Sequence, residues 1–241
     1  MSLLAAAWRL GAGDAMSDAP RQLTLDLPHR AALAAEDFLV SRCNESAVGY
    51  VDRWPDWPHP SALIAGPEGA GKSHLANVWR LRTGAARLPA ADIDETAVPL
   101  IAASGALLVE DLDRGIGDTK VLFHLLNLAR EHRHWILMTS RLAPAELGVA
   151  LPDLSSRLKA LPMIRIEPPD EGLLAALLVK LFDDRQLAVD PQLVGYIARN
   201  MERSTAYATR VVERIDALAL ATHRKVTRAL AAEALADLER G

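Results

Sequence analysis

The chain has 241 residues, half of them hydrophobic, so it can bury a substantial core and is globular rather than disordered. Its formal net charge of -4 argues against a surface built mainly to bind nucleic-acid phosphates. The single cysteine, Cys43, excludes an internal disulfide and a thiolate zinc site, and it fits a reducing cytoplasm. No apolar run approaches the ~20 residues that a membrane-spanning helix needs.

Residues 1–29 are predicted to form a flexible tail before the first folded domain. The stretch 1–15 carries little structural signal, and Met16 is an alternative start to Met1. Near the end of the tail, leucines alternate with polar residues in the run Gln22, Leu23, Thr24, Leu25, Asp26 and Leu27. This alternation predicts either an edge strand packed on the protein's own domain or a peptide that a partner binds.

A helix is predicted over residues 30–42, because their apolar residues fall on one side. The segment 53–60 (RWPDWPHP) contains three prolines, which exclude a helix and predict a stiff turn. Its two tryptophans, Trp54 and Trp57, either stack near a bound adenine or pack within this turn.

The run Gly66–Ser73 (GPEGAGKS) fits the phosphate-binding pattern G-x-x-x-x-G-K-[S/T], called the P-loop, although a Gly-rich turn without a ligand has the same letters. An apolar strand, Ser61–Ala65, precedes it, and a helix follows it, as the motif requires. Backbone N–H groups and the helix N-terminus would face the phosphates. Lys72 would reach the β- and γ-phosphates, and the Ser73 hydroxyl would bind Mg²⁺. The predicted nucleotide-binding residues are Gly66, Pro67, Glu68, Gly69, Ala70, Gly71, Lys72, Ser73 and His74.

Strand patterns alternate with helical ones after the P-loop. The strand candidates are residues 86–88, 106–109, 135–138 and 163–166. The clearest helix between them runs from Lys120 to His132 and has one apolar face. Strands that alternate with helices predict a parallel sheet covered by helices on both faces. This α/β nucleotide-binding domain is expected to span residues 30–168.

Residues 169–241 are predicted to form a small all-helical domain, because no convincing strand follows the prolines at 168 and 169. Four helices are expected there. Their start signals are Asp170, Asp190-Pro191, Ser204 and Thr227.

The strand at 106–109 runs into two carboxylates, Glu110 and Asp111. A carboxylate at such a strand end can hold Mg²⁺, and a second one can polarise an attacking water. Together with Ser73 these residues form the candidate metal site. The pattern also fits a solvated strand end, since many buried strands end in acids.

Two further polar groups are candidates for contacts with phosphate. Thr139 and Ser140 end the strand at 135–138, where they either touch the γ-phosphate or cap a helix at 144–147. Arg157 lies in the segment LPDLSSRL and is either a surface residue or an arginine finger. Such a finger supplies charge to a nucleotide held by a neighbouring subunit and is worth about 10³–10⁵ in rate.

In this order the motifs resemble an AAA+ ATPase module over residues 30–241. The P-loop with the His-Leu that follows it, the doubled acid, the Thr-Ser-Arg strand end and LPDLSSRL are similar to the DnaA-related family. LPDLSSRL is especially similar to the finger motif of its Hda members, and residues 215–227 resemble their lid. The resemblance implies an α/β AAA+ sheet followed by an all-α lid, with Glu110 and Asp111 as the Walker B acids and Thr139 and Ser140 as sensor 1.

The resemblance also gives the tail a role. The run from Gln22 to Leu27 is similar to the Q-L-x-L-x-L peptide by which Hda and other replication proteins bind the β sliding clamp of DNA polymerase III. Gln22 would form side-chain hydrogen bonds, and the leucines would be apolar anchors.

For the whole chain, the resemblance implies a regulator in the bacterial cytoplasm, associated with the nucleoid and the replisome. It would bind ADP or ATP with Mg²⁺, self-associate as a dimer or larger homo-oligomer, and reach DNA only through the clamp. Arg157 would act in trans on DnaA, stimulating hydrolysis of DnaA-bound ATP and preventing over-initiation of chromosome replication. The alternatives are a helicase-loader-like ATPase or adaptor that acts on another replication protein, and a DNA-binding initiator paralogue.

Two residues depart from the family pattern. Glu110 stands where the relatives usually have aspartate. The sensor 2 arginine does not align without a gap, and the role is assigned to Arg203, with Arg210 as the other candidate. Both departures predict weak intrinsic hydrolysis and stable ADP binding.

Overall fold

The computed structural model describes residues 38–222 and 224–240. Within them, five parallel strands form one sheet with the order β2-β3-β4-β1-β5. The strands are β1 Ser61–Ala65, β2 Ala86–Pro89, β3 Ala106–Glu110, β4 Trp135–Ser140 and β5 Met163–Arg165. Every strand predicted from the sequence is present to within two residues at either end. Because all five run in the same direction, their last residues lie along one edge of the sheet, called here the carboxyl edge, and their first residues lie along the amino edge.

Helices of the described residues cover both faces of this sheet. They are α1 Glu45–Asp52, α2 Lys72–Thr83, α3 Ala97–Ser104, α4 Thr119–His132 and α5 Pro152–Lys159. Helices α1 and α2 pack on the face that carries Ile64 and Leu108, and α3, α4 and α5 pack on the face that carries Leu63 and Leu107. Successive strand residues point to opposite faces, so an apolar strand needs helices on both sides. The predicted doubly covered parallel sheet is confirmed.

The described residues after β5 form a helical region with its own apolar core, called here the lid. Its helices are α6 Glu171–Asp184, α7 Pro191–Asn200, α8 Thr205–Thr222 and α9 Arg228–Arg240. Each start signal predicted from the sequence accepts a backbone N–H: Asp170 from Leu173 and Asp190 from Gln192, both at 2.7 Å. Ser204 accepts from Tyr207 at 3.2 Å, and Thr227 from Leu230 at 3.3 Å. Side-chain oxygens therefore satisfy N–H groups that a helix start leaves unpaired.

The helix predicted over residues 30–42 is wrong for its described part. Residues 38–41 are irregular, a turn follows, and the first helix begins at Glu45. The Asn44 side chain accepts from the Ser41 N–H at 2.8 Å and donates to the Leu39 carbonyl at 2.9 Å. These local bonds give the backbone an alternative to the helix. The remainder of that prediction, and the candidate clamp peptide 22–27, lie outside the described residues.

The tryptophans of the Pro-rich turn pack at the amino edge. Trp57 stacks on Trp79 of α2 at 5.5 Å and meets the Trp135 ring edge-on at 5.8 Å. Its indole N–H donates to the Tyr50 carbonyl at 2.7 Å. Trp54 contacts the same Trp135 ring. The P-loop lies at the opposite edge, so the packed-turn interpretation is correct and the adenine-stacking alternative is wrong.

Candidate nucleotide-binding site

The P-loop connects β1 to α2 at the carboxyl edge. Gly66 is required by close packing, because a Cβ there would collide with the Ile166 carbonyl at the end of β5. The N–H of Gly66 also donates to the Ser140 carbonyl of β4 at 3.2 Å. The loop is therefore held between the ends of β4 and β5, the strands on either side of β1.

Lys72 lies inside the loop rather than in solvent. Its side chain is 7% exposed, and its ammonium donates to the Pro67 carbonyl at 2.8 Å. The Ala70 N–H donates to the same carbonyl at 3.4 Å. Burial lowers the pKa of Lys72, while the nearby carboxylates of Asp113 and Asp111 oppose that shift. The Pro67 carbonyl thus accepts hydrogen bonds from two donors of the kind that bind phosphate in P-loops.

The two predicted Walker B acids have different surroundings. Glu110 is buried and pairs with the Arg87 guanidinium on β2. Strand alternation puts its side chain on the same face as Leu108, which packs in one cluster with Leu75 of α2. That face also carries the start of α2, so carboxylate and Ser73 hydroxyl oxygens, the ligands that Mg²⁺ prefers, come from the same side of the sheet. These are the residues that could hold a Mg²⁺ ion, and Arg87 already engages the Glu110 carboxylate.

Asp111 begins the turn after β3 in a left-handed backbone conformation, with φ at 59°. Its N–H donates to the Thr139 hydroxyl at 3.1 Å, and its carboxylate lies 3.4 Å from the Arg114 guanidinium. The side chain is 37% exposed, so unlike Glu110 it is accessible to water.

Thr139 and Ser140 are both fully buried at the end of β4. The Thr139 hydroxyl accepts from Asp111, and the Ser140 hydroxyl accepts from the Leu142 N–H at 3.0 Å. The short helical turn at 144–146 is instead capped by its own Glu146, which accepts from the Ala143 N–H at 2.8 Å. The helix-cap alternative for the two hydroxyls is therefore wrong, and both lie between the P-loop and the acidic strand end.

An ion pair that was not predicted from the sequence lies at the same edge. The Asp113 side chain is 1% exposed and accepts hydrogen bonds from the Arg141 backbone N–H and guanidinium. Burial works against ionisation of Asp113, but the bonds from Arg141 prevail and its pKa is lowered. Arg141 also lies 3.5 Å from the Glu68 carboxylate of the P-loop. The detectable signal was an acid just past one predicted strand and an arginine just past the next.

Arg157 lies away from these groups. It is half-buried on α5, with its guanidinium carbon 5.2 Å from the Phe123 ring centroid of α4. Both helices cover the face of the sheet opposite to α2, which begins at Lys72. Arg157 therefore lies on the face of the sheet opposite to α2, the helix that follows the chain's own P-loop.

The two candidates for sensor 2 differ in position. Arg203 is exposed and directly precedes Ser204, which packs against Gly69 of the P-loop. Arg210 is also exposed, but it lies more than a turn along α8 and covers the Tyr207 ring at 5.1 Å. Only the segment that carries Arg203 reaches the P-loop.

A cavity of about 50 Å³ lies where the first described segment, the P-loop and the lid meet. Apolar side chains from both flanks line it, namely Phe38, Leu39, Leu173 and Leu177, with the Asn44 amide as a polar group. The Phe38 ring meets His74 edge-on at 5.1 Å. Binding pockets for larger molecules measure roughly 300–1,000 Å³. The cavity is therefore too small for a base as it stands. Its P-loop lining of Ala70, Gly71 and His74 was predicted from the sequence, and the apolar side chains on either side were not.

A larger cavity, of about 250 Å³, lies beyond the end of β1, between the segments that follow β4 and β5. Its lining includes Gly66, Pro67, Arg141 and Arg165, with the carboxylates of Glu146 and Glu167 also present. Mixed charges of both signs line it, so it does not select for phosphate alone.

No protein-family model matches the chain. Among solved structures, domain III of the replication initiation protein DnaA from Thermotoga maritima superposes with a TM-score of 0.72 at 20% identity, over 84% of this chain and 95% of that one. The chain has the fold of DnaA domain III. AMPPCP-bound DnaA from Aquifex aeolicus matches with a TM-score of 0.65 at 18% identity, over 75% of this chain and 64% of that one.

A RuvB mutant from Thermotoga maritima also matches, with a TM-score of 0.64 at 12% identity, over 81% of this chain and 68% of that one. The predicted AAA+ fold, a parallel sheet followed by a helical region, is thereby confirmed. None of the helices in the described ranges 38–222 and 224–240 is both long and apolar enough to cross a membrane.

Proposed function

We propose that the chain is a DnaA-related regulator that binds adenine nucleotide, docks on ATP-bound DnaA and stimulates hydrolysis of the ATP that DnaA holds. The observation that carries the proposal is the position of Arg157. It lies on the face of the sheet opposite to the chain's own P-loop helix, supported by the Phe123 ring. An arginine in this position serves a neighbour's nucleotide better than its own.

DnaA is the proposed neighbour because this chain shares the fold of DnaA domain III. Modules of one fold can associate head to tail, with the finger of one facing the P-loop of the next. The guanidinium of Arg157 is planar and always charged, so it can pair with the phosphate oxygens of the partner's ATP. Stabilising the charge that builds on those oxygens is worth about 10³–10⁵ in rate. The product is ADP-bound DnaA, which limits repeated initiation.

The chain's own nucleotide has a conformational role in this proposal. Lys72 would exchange the Pro67 carbonyl for the phosphates of ADP or ATP, and Ser73 and Glu110 would hold Mg²⁺, which neutralises phosphate charge when bound. Glu110 is already paired with Arg87, which weakens its availability for hydrolysis. The bound nucleotide would fix the angle between the sheet and the lid.

The tail would tether the protein to the β sliding clamp through Gln22–Leu27. A tether raises the effective concentration of a weak contact without changing the contact itself. Stimulation should therefore need a clamp loaded on DNA when the protein is dilute.

The decisive experiment measures turnover of DnaA-bound ATP in the presence of loaded clamp. Arg157→Ala should reduce stimulation to the background rate, because the finger charge is lost. Lys159→Ala is the matched control, since it removes an exposed cation from the same helix and should retain stimulation. Equal stimulation by wild type and Arg157→Ala would show that the finger assignment is wrong.

A deletion of residues 22–27 tests the tether separately. It should abolish stimulation at low protein concentration and leave it intact at high concentration, because only the effective concentration changes. Full stimulation at low concentration would contradict clamp binding. Strong intrinsic ATPase activity stimulated by single-stranded DNA would instead support the helicase-loader alternative.

A further inference from the structure

The lid touches the P-loop at one backbone carbonyl. Thr205, the first residue of α8, donates its N–H to the Gly69 carbonyl at 2.8 Å and its hydroxyl to the same oxygen at 2.9 Å. The two residues are 136 positions apart in the chain. One oxygen of the phosphate-binding loop is thus held by both donors of a single lid residue.

The packing around this contact leaves little freedom. Gly69 has φ at +69°, which other residues rarely adopt, and a Cβ on it would collide with the Ser204 side chain. Ser204 is 5% exposed, and its hydroxyl is engaged as the N-cap of α8 by the Tyr207 N–H. The loop and the start of α8 are therefore in close contact over two consecutive lid residues.

The contact determines where the next amide points. In a planar trans peptide the C=O and the following N–H point in opposite directions. Because the Gly69 carbonyl faces the lid, the Ala70 N–H faces the interior of the loop. It donates there to the Pro67 carbonyl, which also accepts from the Lys72 ammonium. Amides aimed at this point are the groups that a P-loop offers to phosphate.

We propose that Thr205 is a positioning residue of the nucleotide site: by holding the Gly69 carbonyl toward the lid, it keeps the Ala70 amide aimed into the phosphate cradle. This inference rests on the nucleotide-binding part of the proposed function and is independent of DnaA and the clamp. It also links the two parts of the molecule, because a lid that swings away from the loop releases the peptide that Thr205 holds.

The first test uses the full-length, nucleotide-free protein and hydrogen exchange of the loop amides 66–73. Thr205→Val keeps the shape of the side chain and removes the hydroxyl donor, and Thr205→Ser keeps the donor. Thr209→Val is the matched control, because the Thr209 hydroxyl donates within α8, to the Thr205 carbonyl at 3.2 Å. Loss of one hydrogen bond should speed exchange of the Ala70 amide roughly 2- to 10-fold in Thr205→Val alone.

The second test compares ADP with adenosine in competition binding. Thr205→Val should weaken ADP roughly 2- to 10-fold and leave adenosine unchanged, because adenosine has no phosphate for the Ala70 amide. Unchanged exchange at Ala70, or an equal loss for ADP and adenosine, would overturn the proposal and leave Thr205 a lid-packing residue. If wild type binds no ADP, the proposed nucleotide function fails, and the exchange measurement alone decides the role of Thr205.

Discussion

The two edges of the sheet are built from opposite kinds of chemistry. The carboxyl edge gathers a glycine-rich loop, a buried lysine and the Asp113–Arg141 ion pair. The amino edge gathers Tyr50 and four tryptophans in ring contact. Ligands of parallel α/β sheets bind outside the carboxyl ends of the strands, where loops can diverge without disturbing the layers. We therefore expect binding and stability to reside at different edges and to respond to different substitutions.

The largest expected effect is on stability, at the amino edge. Trp79→Ala removes a fully buried ring that stacks on Trp57 and should lower the free energy of unfolding by about 3–5 kcal/mol. Leu81→Ala, in the same helix but 53% exposed, should change it by less than about 0.5 kcal/mol. Denaturant unfolding measures both. A similar loss of unfolding free energy in the two variants would contradict the stabilising role of the amino edge.

Lys72→Met should affect binding at the carboxyl edge. ADP affinity, measured by titration calorimetry, should fall roughly 10- to 100-fold, because bonds from a charged donor are lost. The nucleotide-free variant should be more stable than wild type at neutral pH, because burial lowers the pKa of Lys72 in the folded state. Between the lowered folded-state pKa of Lys72 and 10.5 the unfolded chain binds more protons at this lysine, so wild-type stability should rise with pH across that window. A destabilised Lys72→Met protein would contradict this account.

Tyr50→Phe should change how the stability of the amino edge depends on pH. Burial raises the pKa of Tyr50 to about 12, and its hydroxyl has no hydrogen-bond partner among the described residues. Between pH 10 and 12 the unfolded chain loses this proton and the folded chain keeps it, so wild-type stability should fall. In Tyr50→Phe the part of this alkaline loss of stability that comes from residue 50 should vanish. At pH 7 the free energy of unfolding should change by about 1 kcal/mol or less. Denaturant unfolding curves between pH 10 and 12 test this prediction. An equal loss of stability in wild type and Tyr50→Phe would refute it.

The smallest effect on stability at pH 7 is expected for Arg141→Gln, because the guanidinium is partly solvated and the backbone N–H of residue 141 still donates to Asp113. The pKa of Asp113 should rise toward 3.8, as the bond from the guanidinium is lost. Wild-type stability from this carboxylate is present above pH 3.8 and is lost as pH falls through its lowered pKa, so the variant should lose less on acidification. Carboxyl NMR titration measures the pKa of Asp113. The control Arg114→Gln, at an exposed neighbouring residue, should leave that pKa unchanged.

Much of the candidate site was predictable because it follows local patterns. The P-loop letters and the acids that end β3 were recognised from positions close together in the chain. The family resemblance supplied the role of Arg157, and the position of its helix on the face opposite to α2 supports that proposal. The interpretation of Trp54 and Trp57 needed the structure, because a Pro-rich turn before a strand does not state which rings it will meet.

By itself the sequence determined the five strands, the lid helices with their caps and the glycine-rich loop between β1 and α2, since hydrophobic period, capping residues and glycine spacing act over a few residues. The tertiary structure alone decided the Arg87–Glu110 and Asp113–Arg141 pairs and the bond from Thr205 to Gly69. These contacts join residues 23, 28 and 136 positions apart. They depend on the strand order β2-β3-β4-β1-β5 and on where the lid docks, and no local pattern specifies either.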